Sequence, residues 1–395
     1  MNAVNRFLTL AAALVLCTMP VDVQAQSDDD SLRAQFEAIV DGLNDNSFRL
    51  FQEALDQNAY TARVFGTGLI TDEVKTAFTA NFWPEIESGF VAAFPRPQTQ
   101  GQAGSEITGA IIAFSEESGQ ARAIVRYASA GFRYSYHAYD LQRGRGGRVQ
   151  IIDWFDYYQS EWFSQLLGDG LLRVTPGQSS VASVLEIPRP TNAQLFQVGE
   201  LMKSVRDRDA KRYFQIYEGL DDTVLEDPYV VEMNYHFCRK LRDPVRLGAA
   251  VSSLLASFPG DPRFSLGLSE HYVQWRRFEE AIVELERLAE GLGQTDGVIE
   301  SLKATAAMAL GEFERAQAFA LEATRVEEGL ELAWWTLLRT RTAAEDYTGA
   351  TEAMTQLEDR FGHLLIPQKL QRDRFLKVLI KQQEYKDWRA ARDQA

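Results

Sequence analysis

The sequence predicts an α+β N-terminal domain, helices plus a four-stranded antiparallel meander, followed by an all-α superhelical array of helical hairpins. Three observations carry this prediction. Helix openings recur about every 34 residues in the second half, at Asp227-Pro228, Asp261-Pro262 and Thr295-Asp296, and a fixed period of that size marks stacked helical units. Before them, from about Ile107 to Tyr157, the apolar pattern changes from helical spacing to strand alternation. Between the two regions lies Pro188-Arg189-Pro190, where two prolines hold the chain extended and give up amide donors. The resulting divisions are a signal peptide at 1–25, an α+β domain at 26–173, a linker at 174–190 and helical repeats at 191–395.

In chain order, Arg6, the apolar run Phe7–Met19 and the small residues around Ala25 have the three-part pattern of a secretory signal peptide. A rival reading lipidates Cys17, but Leu16 is a large residue where a lipobox wants a small one. No later stretch is apolar enough to span a membrane. The expected location is extracytoplasmic, the bacterial periplasm or outside the cell, after cleavage near Ala25. Only Cys238 then remains, which excludes an internal disulfide, and its apolar neighbours favour a buried, inert thiol. The 395 residues leave room for two or three domains, and 45% hydrophobic with 25% charged residues is ordinary for a soluble globular chain. A net charge of −15 argues against nonspecific nucleic-acid binding, which needs a basic surface.

Leu32, Phe36, Ile39 and Leu43 mark one face of a first helix. Asn46 or Ser47 can cap a second, carrying Phe48, Phe51 and Leu55, and Tyr60–Phe65 suggests a short third. Thr71 with Asp72 and Glu73 opens another, stopped at Trp83-Pro84. Ile86, Phe90 and Phe94 suggest a further turn or two, and Pro95–Gly104 is an exposed loop. Four strands follow: Ile107–Phe114, Ala121–Tyr127, one holding Phe132, Tyr134 and Tyr136, and one holding Val149 to Tyr157. Short turns between them imply a meander. Glu161–Leu172 reads as a short helix leaving the sheet, and 175–180 as a loop.

This element order, and the strand ending Ile152-Asp153-Trp154-Phe155-Asp156-Tyr157, resembles the cone-shaped NTF2-like domains over about residues 30–170. It also resembles uncharacterised domains that precede helical repeats in secreted bacterial proteins. In the second half, Gly248, Ala281, Ala316 and Ala350 stand 33, 35 and 34 residues apart. Each follows Val245, Phe278, Phe313 or Tyr347 by three positions. A small residue there lets the helices of a hairpin approach, and the larger one plugs the turn. With Gly311 at a turn and Ala304 and Ala307 at close contacts, the series resembles the tetratricopeptide repeat (TPR). The resemblance implies a TPR-like superhelical array. Leu338 and Arg341 depart from its expected small residue and aromatic. Val198–Tyr217 reads as a divergent first repeat and Leu370–Ala391 as a terminal repeat or a cap.

No phosphate loop, zinc spacing or nucleophile elbow appears, so no cofactor is expected. One constellation on the sheet, His137 and Asp153 with Tyr136 and Trp154, and Asp140 and Asp156 nearby, offers acid–base chemistry if the side chains share a pocket. Strand register decides that, since a one-residue slip reverses the faces. On the array, repeat register points Arg263, Glu270, Trp335 and Arg339 into the concave face, where a Trp flanked by Arg suits an interface. The bland alternative packs Trp335 between repeats. The Lys and Asn pattern of repeats that clamp a C-terminal carboxylate is absent. The basic segment from Lys369 to Arg392, Arg372 and Arg374 included, reads first as a solvated helix face and second as a contact for an anionic partner or lipid surface.

The leading expectation is an exported, non-enzymatic protein that binds a protein or peptide through the array. The alternative is a small-molecule-binding or hydrolytic N-terminal domain with the repeats as a docking arm. A purely structural envelope component is a third reading.

Overall fold

A computed structural model describes residues 31–45, 47–66, 72–84, 86, 108–129, 133–165, 167–168, 192–241 and 243–393. The expected signal peptide, the Pro95–Gly104 loop, the 174–190 linker and its prolines lie outside the described residues.

Four helices precede the sheet: α1 (Leu32–Asn44), α2 (Arg49–Ala54), α3 (Gln57–Val64) and α4 (Asp72–Ala80). Ser31 caps α1 by accepting from the Ala34 amide, and Asp56 caps α3 through the Ala59 amide. Helix α2 has Phe48 at its N-cap and no side-chain cap, so Ser47 does not take that part, and Asn46 lies outside the described residues. The strands β1 (Thr108–Glu117), β2 (Gln120–Ser129), β3 (Arg133–Arg143) and β4 (Val149–Asp156) form the expected antiparallel meander. A fifth strand, β5 (Glu161–Trp162), pairs with β4 at the start of the expected Glu161–Leu172 helix, and the chain turns helical from Phe163. Its cause is local. Ser160 adopts a left-handed φ of 60°, which reverses the chain, and Trp162 packs edge-on against Phe155 at 5.7 Å.

Alternation gives the sheet two apolar faces. Ala123, Val125, Tyr127, Tyr139, Ile151 and Trp154 form a core with Phe36, Phe51 and Tyr60 of α1–α3. Trp154 is fully buried and stacks on Phe163 at 4.3 Å and on Tyr60 at 5.7 Å. Gly109 is needed here because an added Cβ would stand 2.8 Å from the Tyr127 ring.

The array runs from α5 (Asn192–Asp207) and α6 (Ala210–Tyr217) through α7 (Pro228–Leu241), α8 (Pro244–Ser257), α9 (Ser265–Gln274), α10 (Phe278–Leu292), α11 (Gly297–Leu310), α12 (Phe313–Val326), α13 (Glu331–Ala343) and α14 (Tyr347–Phe361). Short turns then lead to α15 (Gln383–Asp393), whose Tyr385 and Trp388 cover the last hairpin. Asp227, Asp261 and Asp296 each accept an amide hydrogen bond at a first-helix start, from Tyr229, Arg263 and Ile299. The turn inside a hairpin carries a left-handed residue at Arg208, Arg276, Gly311 and Glu345. Ala281, Ala316 and Ala350 are fully buried, as a close-approach position in a TPR-like hairpin requires. Gly248 is not in that role. An added Cβ there would meet nothing within 4 Å, and Val245 is 80% exposed rather than plugging the turn. In that hairpin Leu247, Ala250, Val251 and Leu254 face inward.

The second face of the sheet docks on the array. Ile124, Tyr136, Phe155 and Tyr157 pack against Leu266, Leu285, Leu288, Leu292 and Ile299. At the centre of the contact Arg126 is 5% exposed. It donates to both oxygens of Glu327, at 2.6 and 2.7 Å, and to Asp296 at 2.8 Å. The Tyr136 hydroxyl also donates to Asp296 at 3.2 Å. Burial pushes the Asp296 carboxyl up, and Arg126 pulls it back. Arg126→Met is expected to leave two acids with no buried cation and to cost about 3–5 kcal/mol. Urea unfolding measures this, and a loss under about 1 kcal/mol would contradict the role given to Arg126.

A second buried pair lies inside the sheet. His137 Nε2 stands 3.7 Å from Asp156 Oδ1, and both side chains are essentially solvent-free. Burial lowers His137 to about 3 and raises Asp156 to about 7. The folded Asp156 therefore keeps a proton that the unfolded chain loses near 4. Its contribution is present at pH 4 and lost as pH rises through 7. That of His137 runs in the opposite sense and is lost on acidification. For Asp156→Asn, the stability deficit relative to wild type is expected to shrink from pH 4 to pH 7, at up to about 1.4 kcal/mol per unit. Urea titrations across that range test it, and a pH-independent deficit would refute it.

Candidate functional site

The first helices of successive hairpins put repeat-equivalent side chains on one concave surface. Glu270 on α9, Thr305 on α11, Arg339 on α13 and Arg374 beyond α14 stand 35, 34 and 35 residues apart. All four line one groove of about 1350 Å³. The sheet domain supplies a wall to it, through Tyr134 and Tyr158.

That wall is tied to the array by Arg239 of α7. Its guanidinium donates to the Tyr158 carbonyl at 2.6 Å, lies 4.3 Å from the Tyr158 ring centre, and donates to Glu270 at 3.1 Å. Gly267 makes room for this arrangement, since an added Cβ would fall 2.5 Å from the Tyr235 hydroxyl and 3.2 Å from Arg239. Farther along, Arg339 donates to Asp373 at 2.7 Å.

His271 is 4% exposed and lines the groove, stacked on Trp275 at 5.8 Å. Among the described residues neither ring nitrogen has a hydrogen-bond partner. Burial, with the nearby Arg239 charge, lowers its pKa to about 4. At neutral pH the ring is uncharged and offers one donor and one acceptor.

A smaller hollow of about 300 Å³ adjoins the groove through Arg339, Arg372 and Asp373. Trp335 lines it, half-buried, with its indole donating to Glu331 at 3.0 Å and the His363 ring edge-on at 5.3 Å. The structure thus brings Glu270, Arg339 and Trp335 along one connected surface. Arg263 is not among the residues lining either hollow. It pairs with Asp261 at 2.9 Å and lies over Phe258 and Phe264, closing its own turn. Sequence reading missed His271 and Trp275 as groove residues, and it named Arg372 and Arg374 only as part of a basic C-terminal segment. Extending the repeat register one step past Arg339 would have reached Arg374.

The four residues of the expected sheet pocket are not brought together. Register places His137 opposite Asp156, and Asp153 opposite Asp140. His137 shares the helix-covered face with Tyr139 and Trp154, while Tyr136 lies on the face that meets the array. Asp153 is held by Arg63 at 3.2 Å and by the Ser164 hydroxyl at 2.6 Å. Trp154 fills the core instead of lining a cavity. The NTF2-like resemblance gains no support from this arrangement. Among the described residues no helix is long and apolar enough to cross a membrane.

No protein-family model and no curated protein matches the chain. Among solved structures it is similar to PilW, described as a widely conserved type IV pilus biogenesis factor, at 14% identity and a TM-score of 0.33, over 51% of this chain and 93% of that one. It is similar to MamA MSR-1 C2 at 15% identity and a TM-score of 0.34, over 44% and 97%. It is similar to PilF of Pseudomonas aeruginosa at 13% identity and a TM-score of 0.32, over 50% and 88%. The recurring caps, buried alanines and left-handed turns make the second half of the chain a TPR-like helical array with an α+β domain docked on it.

Proposed function

We propose that the protein is a non-catalytic interaction protein whose composite groove holds a segment of another polypeptide. The observation that carries this reading is the groove itself, floored by repeat-equivalent side chains and walled by the sheet. A concave surface with a few placed polar groups among apolar ones suits a bound chain. Trp335 with Arg339 over its ring at 5.8 Å has the composition of an interface hot spot. The reading of residues 1–25 as a signal peptide supports a partner in the extracytoplasmic space. The competing small-molecule or hydrolytic reading needs His137 and Asp153 in one pocket, and their side chains hold other partners.

A photo-crosslinking residue tests the proposal by position. Placed at Thr305, on the exposed groove floor, it is expected to trap a polypeptide in the source cell. Placed at Leu321, which is 42% exposed on α12, it is expected to trap none. Equal products from both positions, or none from either, would sink the reading. Trp335→Ala is expected to weaken binding of the trapped polypeptide by about 1 kcal/mol or more, measured by titration.

A further inference from the structure

We infer that the C-terminal end of the groove is a seat for acidic side chains of an extended peptide, held by Arg372 and Arg374. This rests on the groove's being a polypeptide site and deepens it by naming the chemistry of the occupant. Four arginines line the groove, Arg239, Arg339, Arg372 and Arg374, against the carboxylates Glu270 and Asp373. Those two carboxylates are taken, Glu270 by Arg239 at 3.1 Å and Asp373 by Arg339 at 2.7 Å. Arg372 and Arg374 are exposed, and among the described residues neither has an ion-pair partner. The Arg374 guanidinium rests 4.5 Å from the Phe375 ring centre, which fixes its stem and leaves its donors open. Lys369 lines the adjoining hollow and extends the positive strip. In a chain of net charge −15, a concavity whose cations outnumber its acids marks what that concavity holds.

The other end of the groove favours a peptide over a bare anion. His271 presents a neutral ring with one donor and one acceptor, both unmatched and nearly out of solvent. A peptide backbone brings an amide N–H and a carbonyl together and can match both. A phosphodiester group brings acceptors only. The overall negative charge also opposes adsorption to an anionic membrane or to nucleic acid, which favour a basic surface.

The test selects from a randomised peptide pool on the full chain and keeps the peptides lost on Ala309→Trp, which blocks the exposed groove floor. Selected peptides are expected to be enriched in Asp and Glu over the starting pool. The charge-reversal variant R372E/R374E is expected to weaken them by roughly tenfold or more. Arg372→Ala with Arg374→Ala is expected to give a smaller loss in the same direction. Both sites are exposed, so thermal midpoints near wild type show that these variants fold. Groove peptides that are neutral or basic, or acidic ones indifferent to R372E/R374E, overturn the acidic seat and leave the groove reading standing. A pool containing no peptide lost on Ala309→Trp overturns both. Binding to phosphatidylserine vesicles that disappears in R372E/R374E assigns the strip to a lipid surface and overturns the peptide seat.

Discussion

The architecture depends on one buried cation. Arg126 reaches out of the middle of the sheet and ends among the acids of the array, 170 and 201 residues away in the chain. Taking three charges out of water is costly, and such a group adds little net stability over an apolar substitute. Its contribution is placement, because an apolar contact can slide and a bidentate guanidinium cannot do so without losing hydrogen bonds. Asp296 couples the two halves further by doing two things at once. It caps α11 through the Ile299 amide and accepts from Arg126 and Tyr136. Any movement of the sheet therefore disturbs the start of a repeat helix.

A fixed sheet changes what the array can offer. Hairpins alone make a trough open along its edge. Here Tyr134 and Tyr158 close part of that edge, and Arg239 joins the wall to the floor. The same docking explains why the sheet has no pocket of its own at the residues that suggested one. Its first face is filled by Trp154, Tyr139 and Tyr127 under the helices, and its second by contact with α9–α11. His137 and Asp156 are enclosed by that packing, beyond the reach of a substrate.

What the sequence revealed and what it hid divide along physical lines. The hairpin period was legible because caps and small residues recur whenever helices pack the same way. The meander was legible from alternation. The repeat opened by Asp227 was misread by its small residue, since Gly248 lies at an open position and Ala250 holds the buried one. Strand β5 was hidden because two residues have no period, and a left-handed Ser160 leaves no glycine to announce the turn. The docking of sheet on array was hidden because Arg126, Asp296 and Glu327 share no local pattern. Among the candidate residues, Glu270 and Arg339 line the groove that repeat register pointed to, whereas Arg263 pairs with Asp261 beside it.

The recurring turn explains how the groove acquires direction. A left-handed residue at Arg208, Arg276, Gly311 and Glu345 sets the same reversal in four of the hairpins, even where the side chain makes that conformation unfavourable. Equal turns keep first helices in equal register, so one position of each reaches the groove. On α9, α11 and α13 that position reads Glu270, Thr305 and Arg339, and Arg374, in a turn beyond α14, continues the line along the groove. The order is acidic, neutral, basic, basic. A scaffold built from like units would give a symmetric trough, and this row of side chains removes the symmetry. A bound segment with its own charge asymmetry meets attraction in one orientation and repulsion in the other. Similar backbone geometry thus supplies the surface, and three residues at equivalent places, with Arg374 beyond them, supply its polarity.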